Sequence, residues 1–76
     1  MTTLDKLKID HDAIIISVAG EEALRSRLLD MGLTPHTGIK VRKVAPMGDP
    51  IEIRVRGYEL TLRKEDAKNI KVEEIK

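Results

Sequence analysis

The segment Ile51–Leu62 reads IEIRVRGYELTL and alternates apolar and polar residues on both sides of a Gly-Tyr pair. Strict alternation is the pattern of a strand with one buried face. A two-residue connection with glycine first, here Gly57-Tyr58, is typical of a type II′ hairpin turn. Folding about this turn places Val55 opposite Leu60 on the inner face, and it places opposite charges across from each other on the outer face. The segment therefore predicts an antiparallel hairpin.

More strands are predicted on both sides of this hairpin. Residues 39–44 pair with its first strand when Val41 lies opposite Ile53 and a β-bulge is placed near Lys43-Val44. β-Branched runs indicate two further strands, at residues 13–18 and 70–72. The chain therefore carries about five short strands.

Two helices are predicted between these strands. Residues 21–31 place Leu24, Leu28 and Met31 on one apolar stripe, and Gly32 supplies the left-handed residue that ends such a helix. Residues 64–69 allow only one or two helical turns before the last strand. A ferredoxin-like sandwich needs a second full-length helix, which this segment cannot supply.

The expected fold is a mainly β, small SH3-like barrel of about five strands, with one early α-helix and a short helix before the last strand. Strands this short need closure to remove their unpaired edges. With 76 residues the chain forms one domain, residues 1–76. Its apolar residues are mostly Ile, Leu and Val, which favours a narrow aliphatic core.

Composition also excludes several classes of protein. No apolar run is long enough to span a membrane, so no direct membrane insertion is expected. The chain start lacks the pattern of a signal peptide, and the lack of cysteine fits a reducing compartment, so a cytoplasmic location is expected. There is no cysteine nucleophile and no glycine-rich phosphate loop. We therefore expect that the protein is not an enzyme.

The net charge is +1, which demands no polyanionic partner. Basic residues nevertheless gather on the outer face of three predicted strands, at Lys40, Arg42, Arg54, Arg56 and Arg63. A solvated face is the favoured interpretation, and an anionic protein partner is the second. Nucleic acid binding is disfavoured because single-strand binders stack bases on aromatic rings, and Tyr58 is the only aromatic residue.

The two histidines are the candidate metal ligands. His11 lies between Asp10 and Asp12, and imidazole with carboxylate suits ferrous iron or zinc. A tight site needs three or four convergent ligands, and His36 belongs to a different loop. We expect no resident cofactor, and any ferrous iron or zinc at these histidines is expected to bind weakly.

Residues 24–72 resemble the FeoA family of bacterial ferrous iron uptake proteins. The resemblance is carried by RLLDMGLTP at 27–35, by VAPMGDPIEIRVRGY at 44–58, and by LTLR at 60–63 with IKV at 70–72. The combination of a helix ending in Met-Gly-Leu-Thr-Pro with a later Pro-x-Gly-Asp-Pro is specific, although neither element alone is. Two positions depart from the family pattern, since His36 and Asp10 stand where glycine is usual. Both residue types tolerate a left-handed backbone, so the fold is expected to survive.

The resemblance implies an SH3-like fold and an accessory role to the iron permease FeoB, a membrane protein with a GTPase domain. It also implies that the chain is a protein-interaction module. An alternative is a small regulator that responds to metal or binds nucleic acid. The sequence also leaves undecided whether two copies form a weak homodimer through the sheet edge beside Ile75.

Loops are the expected contact regions for such a partner. Met47 lies at a loop tip between turn-forming residues, and methionine adapts well to binding surfaces. Asp49 is expected to hydrogen-bond within its own turn. The candidate interface residues are Pro35, His36, Pro46, Met47, Gly48, Asp49 and Tyr58.

Overall fold

The computed structural model describes residues 1–75, so the last residue of the expected domain 1–76 lies outside the described part. Within that part the chain forms six strands and two helices. Their bounds are β1 Thr2–Thr3, β2 Asp12–Val18, α1 Glu22–Asp30, β3 Gly38–Val44, β4 Ile51–Val55, β5 Tyr58–Leu62, α2 Lys64–Ala67 and β6 Ile70–Ile75, with a 3-10 turn at Leu4–Lys6. The mainly β class, the early helix and the short helix before the last strand are confirmed. The two-residue strand β1 is an addition to the expected set.

All strands belong to one antiparallel sheet with the order β1-β6-β2-β3-β4-β5. The last strand in the sequence, β6, therefore lies between β1 and β2. The short strand β1 and the hairpin strand β5 are the two edges, and among the described residues they do not pair with each other. None of the described helices is long and apolar enough to cross a membrane.

The core is built from aliphatic side chains alone. The largest fully buried side chains come from the 3-10 turn, the helix, the loop after the helix and four strands, and they are Leu4, Ile15, Leu28, Leu33, Val41, Ile53, Val55, Ile70 and Val72. β-Branched and leucine side chains of similar size fill this narrow interior, as the composition predicts. Leu24 and Met31 pack against it from the helix, half-buried.

The end of α1 follows the predicted pattern. Gly32 has a φ of 96°, which is the left-handed region. The Gly32 N–H donates to the Leu29 carbonyl at 3.0 Å, and the Leu33 N–H donates to the Leu28 carbonyl at 3.1 Å. These two bonds define a Schellman motif. It directs the chain sharply from the helix towards β3.

The register of the β4–β5 hairpin differs from the expected one by two residues. Tyr58 lies opposite Val55, and Leu60 lies opposite Ile53. The turn is therefore Arg56-Gly57, whose φ angles of 50° and 82° are both positive, as in a type I′ turn. A slip of two residues keeps the same side chains on the inner face, so alternation alone does not distinguish the two registers.

Two further expectations, the ion pairs of the outer face and the place of the bulge in β3, also differ from the structure. Glu59 lies opposite Arg54 instead of Arg56, and Glu52 lies opposite Thr61 instead of Arg63. The pairing of Val41 with Ile53 is confirmed, and the bulge falls between Val41 and Lys43, one residue before the expected place.

Candidate interaction surfaces

The loop of residues 45–50, here called the proline loop, connects β3 to β4. Ala45 N–H donates to the Pro50 carbonyl at 3.0 Å, and Gly48 N–H donates to the Ala45 carbonyl at 2.7 Å. The peptide bond before Pro50 is cis. At the tip of the loop the Met47 side chain is 90% exposed. The loop therefore presents an apolar side chain to solvent on a backbone that is fixed at its base.

Asp49 has a different role from the expected one. Its carboxylate accepts a hydrogen bond from the Lys64 N–H at 2.9 Å, across the fold, instead of bonding within its own turn. Lys64 is the first residue of α2, so the carboxylate satisfies an otherwise free N–H of that helix. The proline loop is thereby attached to the junction between β5 and α2.

A second exposed region lies at the other end of β3, where four residues form what we call the turn surface: Pro35, His36, Arg56 and Tyr58. The Tyr58 hydroxyl donates to the Met31 carbonyl at the end of α1. Arg56 Nη2 donates to the Thr34 hydroxyl at 3.0 Å and to the Thr37 hydroxyl at 3.1 Å. These contacts attach the β4–β5 turn to the loop after α1. They also give a physical reason for the positive φ of Arg56, because they compensate its local strain.

Gly32 makes the Tyr58 contact possible. A Cβ atom at this position would lie 2.9 Å from the Tyr58 hydroxyl oxygen, and the positive φ already disfavours other residues. Tyr58 keeps 43% of its surface exposed despite this contact.

His36 has a φ of 72°, so it adopts the left-handed backbone that the sequence predicts for it. Its N–H donates to the Ile15 carbonyl at 2.7 Å, which fixes the turn against β2. The side chains of Pro35 and His36 are exposed. Asp10, the other departure from glycine, has a φ of 68° and is accommodated in the same way.

The candidate interface residues thus form two separate groups. Tyr58 joins Pro35 and His36 on the turn surface, whereas the other four lie in the proline loop. The seven residues of β3 separate the groups by roughly 20 Å along the strand. The separation follows from the antiparallel pairing of β3 with β4, which places the β4–β5 turn beside the start of β3 and the proline loop at its end.

Both histidines lie near β6. His11 Nδ1 is 2.7 Å from Glu74 Oε2, and His36 lines a shallow groove together with Glu73 and Glu74. Within residues 1–75 no three His, Cys, Asp or Glu side chains are arranged to hold a metal ion. The sequence reasoning missed both glutamates, since they are close to the histidines only through the pairing of β2 with β6.

Two carboxyl groups on the outer face shift each other's pKa. A side-chain hydrogen bond between Glu52 and Glu59 raises the pKa of Glu52 and lowers the pKa of Glu59. Nearby Arg42 contributes to the lowered pKa of Glu59. The two residues are diagonal neighbours on β4 and β5, so their side chains point to the same face.

Taken together, these elements define a small, mainly β domain with two exposed loop regions. The FeoA domain model matches residues 2–74, and the chain belongs to the FeoA family. This family takes part in ferrous iron transport. The predicted family membership is therefore confirmed.

Among curated proteins, the chain is 39% identical over 70 residues to an Fe(2+) transport protein A/Fe(2+) transporter FeoB fusion protein of Porphyromonas gingivalis. The match covers 92% of this chain and 8% of that relative, so the chain spans only a small part of the relative's length.

Solved structures of FeoA proteins have the same fold. A FeoA-like protein of Clostridium acetobutylicum is 40% identical with a TM-score of 0.91, and the match covers 99% of this chain and 87% of that one. FeoA of Stenotrophomonas maltophilia, solved in complex with zinc and named an SH3 domain protein, is 25% identical with a TM-score of 0.83, covering 96% and 91%. The SH3-like fold is therefore confirmed.

Proposed function

We propose that this chain is a non-enzymatic accessory module of ferrous iron uptake, which docks on the cytoplasmic part of a FeoB-type permease and modulates it. The observation that carries the proposal is the Porphyromonas gingivalis relative, in which a FeoA part and FeoB belong to one polypeptide. Joining two domains in one chain raises their effective concentration for each other. Such a fusion is of use when the two parts bind one another.

The exposed loops support docking as the mode of action. Met47 presents an apolar side chain on a loop whose base is fixed by hydrogen bonds, so little ordering is needed when a partner binds. Tyr58 adds a ring that is half exposed and held by its hydroxyl. Tyrosine is enriched at protein interfaces for this combination of apolar ring and polar end.

In this proposal the module acts in the cytoplasm and needs no resident cofactor. His11 and Glu74 provide one nitrogen and one carboxylate, which is fewer ligands than a tight iron or zinc site uses. Any ferrous iron or zinc there would bind weakly. A calorimetric titration that gives micromolar affinity would contradict this part of the proposal.

The proposal is tested by a pull-down of the permease's cytoplasmic domains with the wild-type chain, with and without GTP. Met47→Asp places a charge in an apolar contact and should abolish capture. The matched control is Ser26→Asp, which adds a charge at an exposed residue of α1. Equal capture by wild type and Met47→Asp would exclude the proline loop as the contact. Absence of capture by the wild-type chain in both nucleotide states would contradict docking itself.

A second experiment addresses the alternative of a small regulator. Filter binding of a DNA duplex should show no retention at moderate salt. Retention that falls steeply with added salt would favour nucleic acid binding over docking.

A further inference from the structure

A groove of positive charge lies on the outer face of β3 and β4, close to their ends at the turn surface. We call it the basic groove, and its cationic side chains are Lys40, Arg42, Arg54 and Arg56. Among residues 1–75, Asp12 is the one whose carboxylate lines it. Arg63, which the sequence places with this group, follows β5 and is not part of the groove. The groove therefore carries a surplus of positive charge although the whole chain is nearly neutral.

The positive charges are incompletely neutralised by the protein itself. Lys40 and Arg54 lie directly opposite each other on adjacent strands, which is an unfavourable arrangement for like charges. Lys40 Nζ is 3.9 Å from Asp12 Oδ1, at the limit of an ion pair. Within residues 1–75, no ion pair joins Arg42, Arg54 or Arg56 to a carboxylate. Repulsion without compensation inside the fold is typical of a site that receives an opposite charge from a partner.

Arg56 is the groove cation whose position is best defined. It is held in place by Thr34 and Thr37, so its guanidinium loses little freedom when a ligand binds. Glu59 lies opposite Arg54, and its pKa is lowered by interaction with Glu52 and then by the charges of Arg42 and Arg54. The outer face therefore offsets part of its positive charge, while Arg56 is pre-positioned for an anion.

Two glycines leave part of the groove's backbone uncovered. Gly38 and Gly57 line it, and a Cβ atom at either glycine would meet no atom within 4 Å. The backbone is therefore open to close approach at both positions. Ile75, at one side of the groove, is 48% exposed and offers an apolar contact. The lining thus combines several cations with one aliphatic side chain.

We propose that the basic groove binds an acidic, extended protein segment that also carries an aliphatic residue. The segment's carboxylates would meet Lys40, Arg54 and Arg56, and its aliphatic side chain would lie on Ile75. A protein segment fits better than single-stranded nucleic acid, because the groove contains no aromatic ring on which bases could stack. The assignment of this segment to the permease rests on the proposed function above.

The first test is an NMR titration of the isotope-labelled full chain with a synthetic peptide of alternating glutamate and valine. The amide signals of Gly38, Lys40, Arg54 and Gly57 should shift, and raising the salt concentration should weaken binding. A single-stranded oligonucleotide is titrated in parallel. Absence of peptide-induced shifts at these amides, or stronger binding of the oligonucleotide at the same site, would overturn the proposal.

A matched pair of variants gives the second test. Lys40→Gln, Arg42→Gln and Arg54→Gln together remove three charges from the groove. Arg25→Gln, Lys68→Gln and Lys71→Gln remove three charges from exposed positions elsewhere. The groove variant should bind the peptide about tenfold more weakly, because three exposed charge pairs are lost together. The control should bind as the wild type does. Equal loss in both variants would show a net-charge effect and would overturn the groove assignment.

The third measurement separates the groove from the docking proposal. Capture of the permease's cytoplasmic domains is compared among wild type, the groove variant and the control variant. If both variants capture the permease as well as wild type, the groove proposal fails while docking stands. If no form captures the permease but the peptide binds the groove, docking fails while the ligand class of the groove stands.

Discussion

The two ends of β3 expose similar amounts of loop but are held in different ways. At the turn surface, Tyr58 and Arg56 cross from the hairpin to the loop after α1 and bond to its backbone and hydroxyl groups. In the proline loop, the Asp49 carboxylate accepts one hydrogen bond from α2, at the Lys64 N–H. The tip residue Met47 is almost wholly exposed. Exposed residues therefore have different roles at the two ends of β3. Residues of the turn surface contribute to stability, whereas the tip of the proline loop is available for binding at little cost to the fold.

The largest effect is expected from Gly32→Ala. The added Cβ would meet the Tyr58 hydroxyl at 2.9 Å, on a backbone with a φ of 96°. A loss of about 2 kcal/mol is expected from this left-handed strain and the displaced tyrosine. Urea denaturation measures it, with Gly38→Ala as the control because a Cβ there meets nothing within 4 Å. Equal stability of the two variants would break the proposed distinction between the ends of β3.

Tyr58→Phe should have the next largest effect. It keeps the ring and removes only the hydroxyl that donates to the Met31 carbonyl. The expected loss is about 1 kcal/mol, the usual value for one hydrogen bond. In a domain of this size that corresponds to a Tm lower by about 5 °C. Met47→Leu is the comparison in the proline loop, and its Tm should be unchanged. A larger drop in Tm for Met47→Leu than for Tyr58→Phe would mean that the proline loop, and not the turn surface, contributes to stability.

Asp49→Ala tests the single attachment of the proline loop. Its carboxylate accepts the Lys64 N–H, and loss of a comparable cap typically costs about 0.5–1 kcal/mol. Thermal unfolding measures the cost, and Asp49→Asn should retain most of the stability because its amide oxygen still accepts. If Asp49→Ala leaves the Tm unchanged, the attachment contributes nothing to the fold.

The smallest effect concerns Glu52 and Glu59, which lie between the two regions. The pKa of Glu52 is raised from 4.5, so its contribution to stability is present at low pH and is lost as the pH rises through the raised value. The pKa of Glu59 is lowered, so its contribution is lost as the pH falls through the lowered value. In the variant Glu52→Gln, the side-chain amide can donate a hydrogen bond to Glu59 at every pH. The stability that wild type loses as the pH rises through the raised pKa of Glu52 is therefore retained.

The Tm of Glu52→Gln relative to wild type should therefore increase between about pH 4 and pH 7. Glu22→Gln, on the exposed first turn of α1, is the control. A difference from wild type that is constant across this range would contradict the raised pKa of Glu52.

Local patterns predict most of the fold, and contacts between distant segments account for what they miss. The strand alternation, the glycine after α1 and the tolerance of His36 for a left-handed backbone are all properties of neighbouring residues. The hairpin turn was misplaced because Arg56 is a poor residue for a type I′ turn by itself. Its bonds to Thr34 and Thr37 become possible only after the chain folds.

The candidate interface was predicted as a set of loop residues, without their arrangement. Composition identifies Met47 and Pro46 as exposed turn residues. The division into two regions follows from the antiparallel pairing of β3 with β4, which the alternation of both strands predicts. The proximity of Glu74 to His11 follows from the pairing of β2 with β6, which no local pattern indicates.

The position of β6 has a consequence for the order of folding. This strand comes last in the sequence, yet it lies inside the sheet and joins β1 to β2. During synthesis, β3, β4 and β5 can pair with their neighbours as they emerge, whereas β1 has no partner until residues 70–75 are made. Contacts between such distant segments are slow to form. The sheet is therefore expected to be completed only after residues 70–75 have been made, with the hairpins already in place.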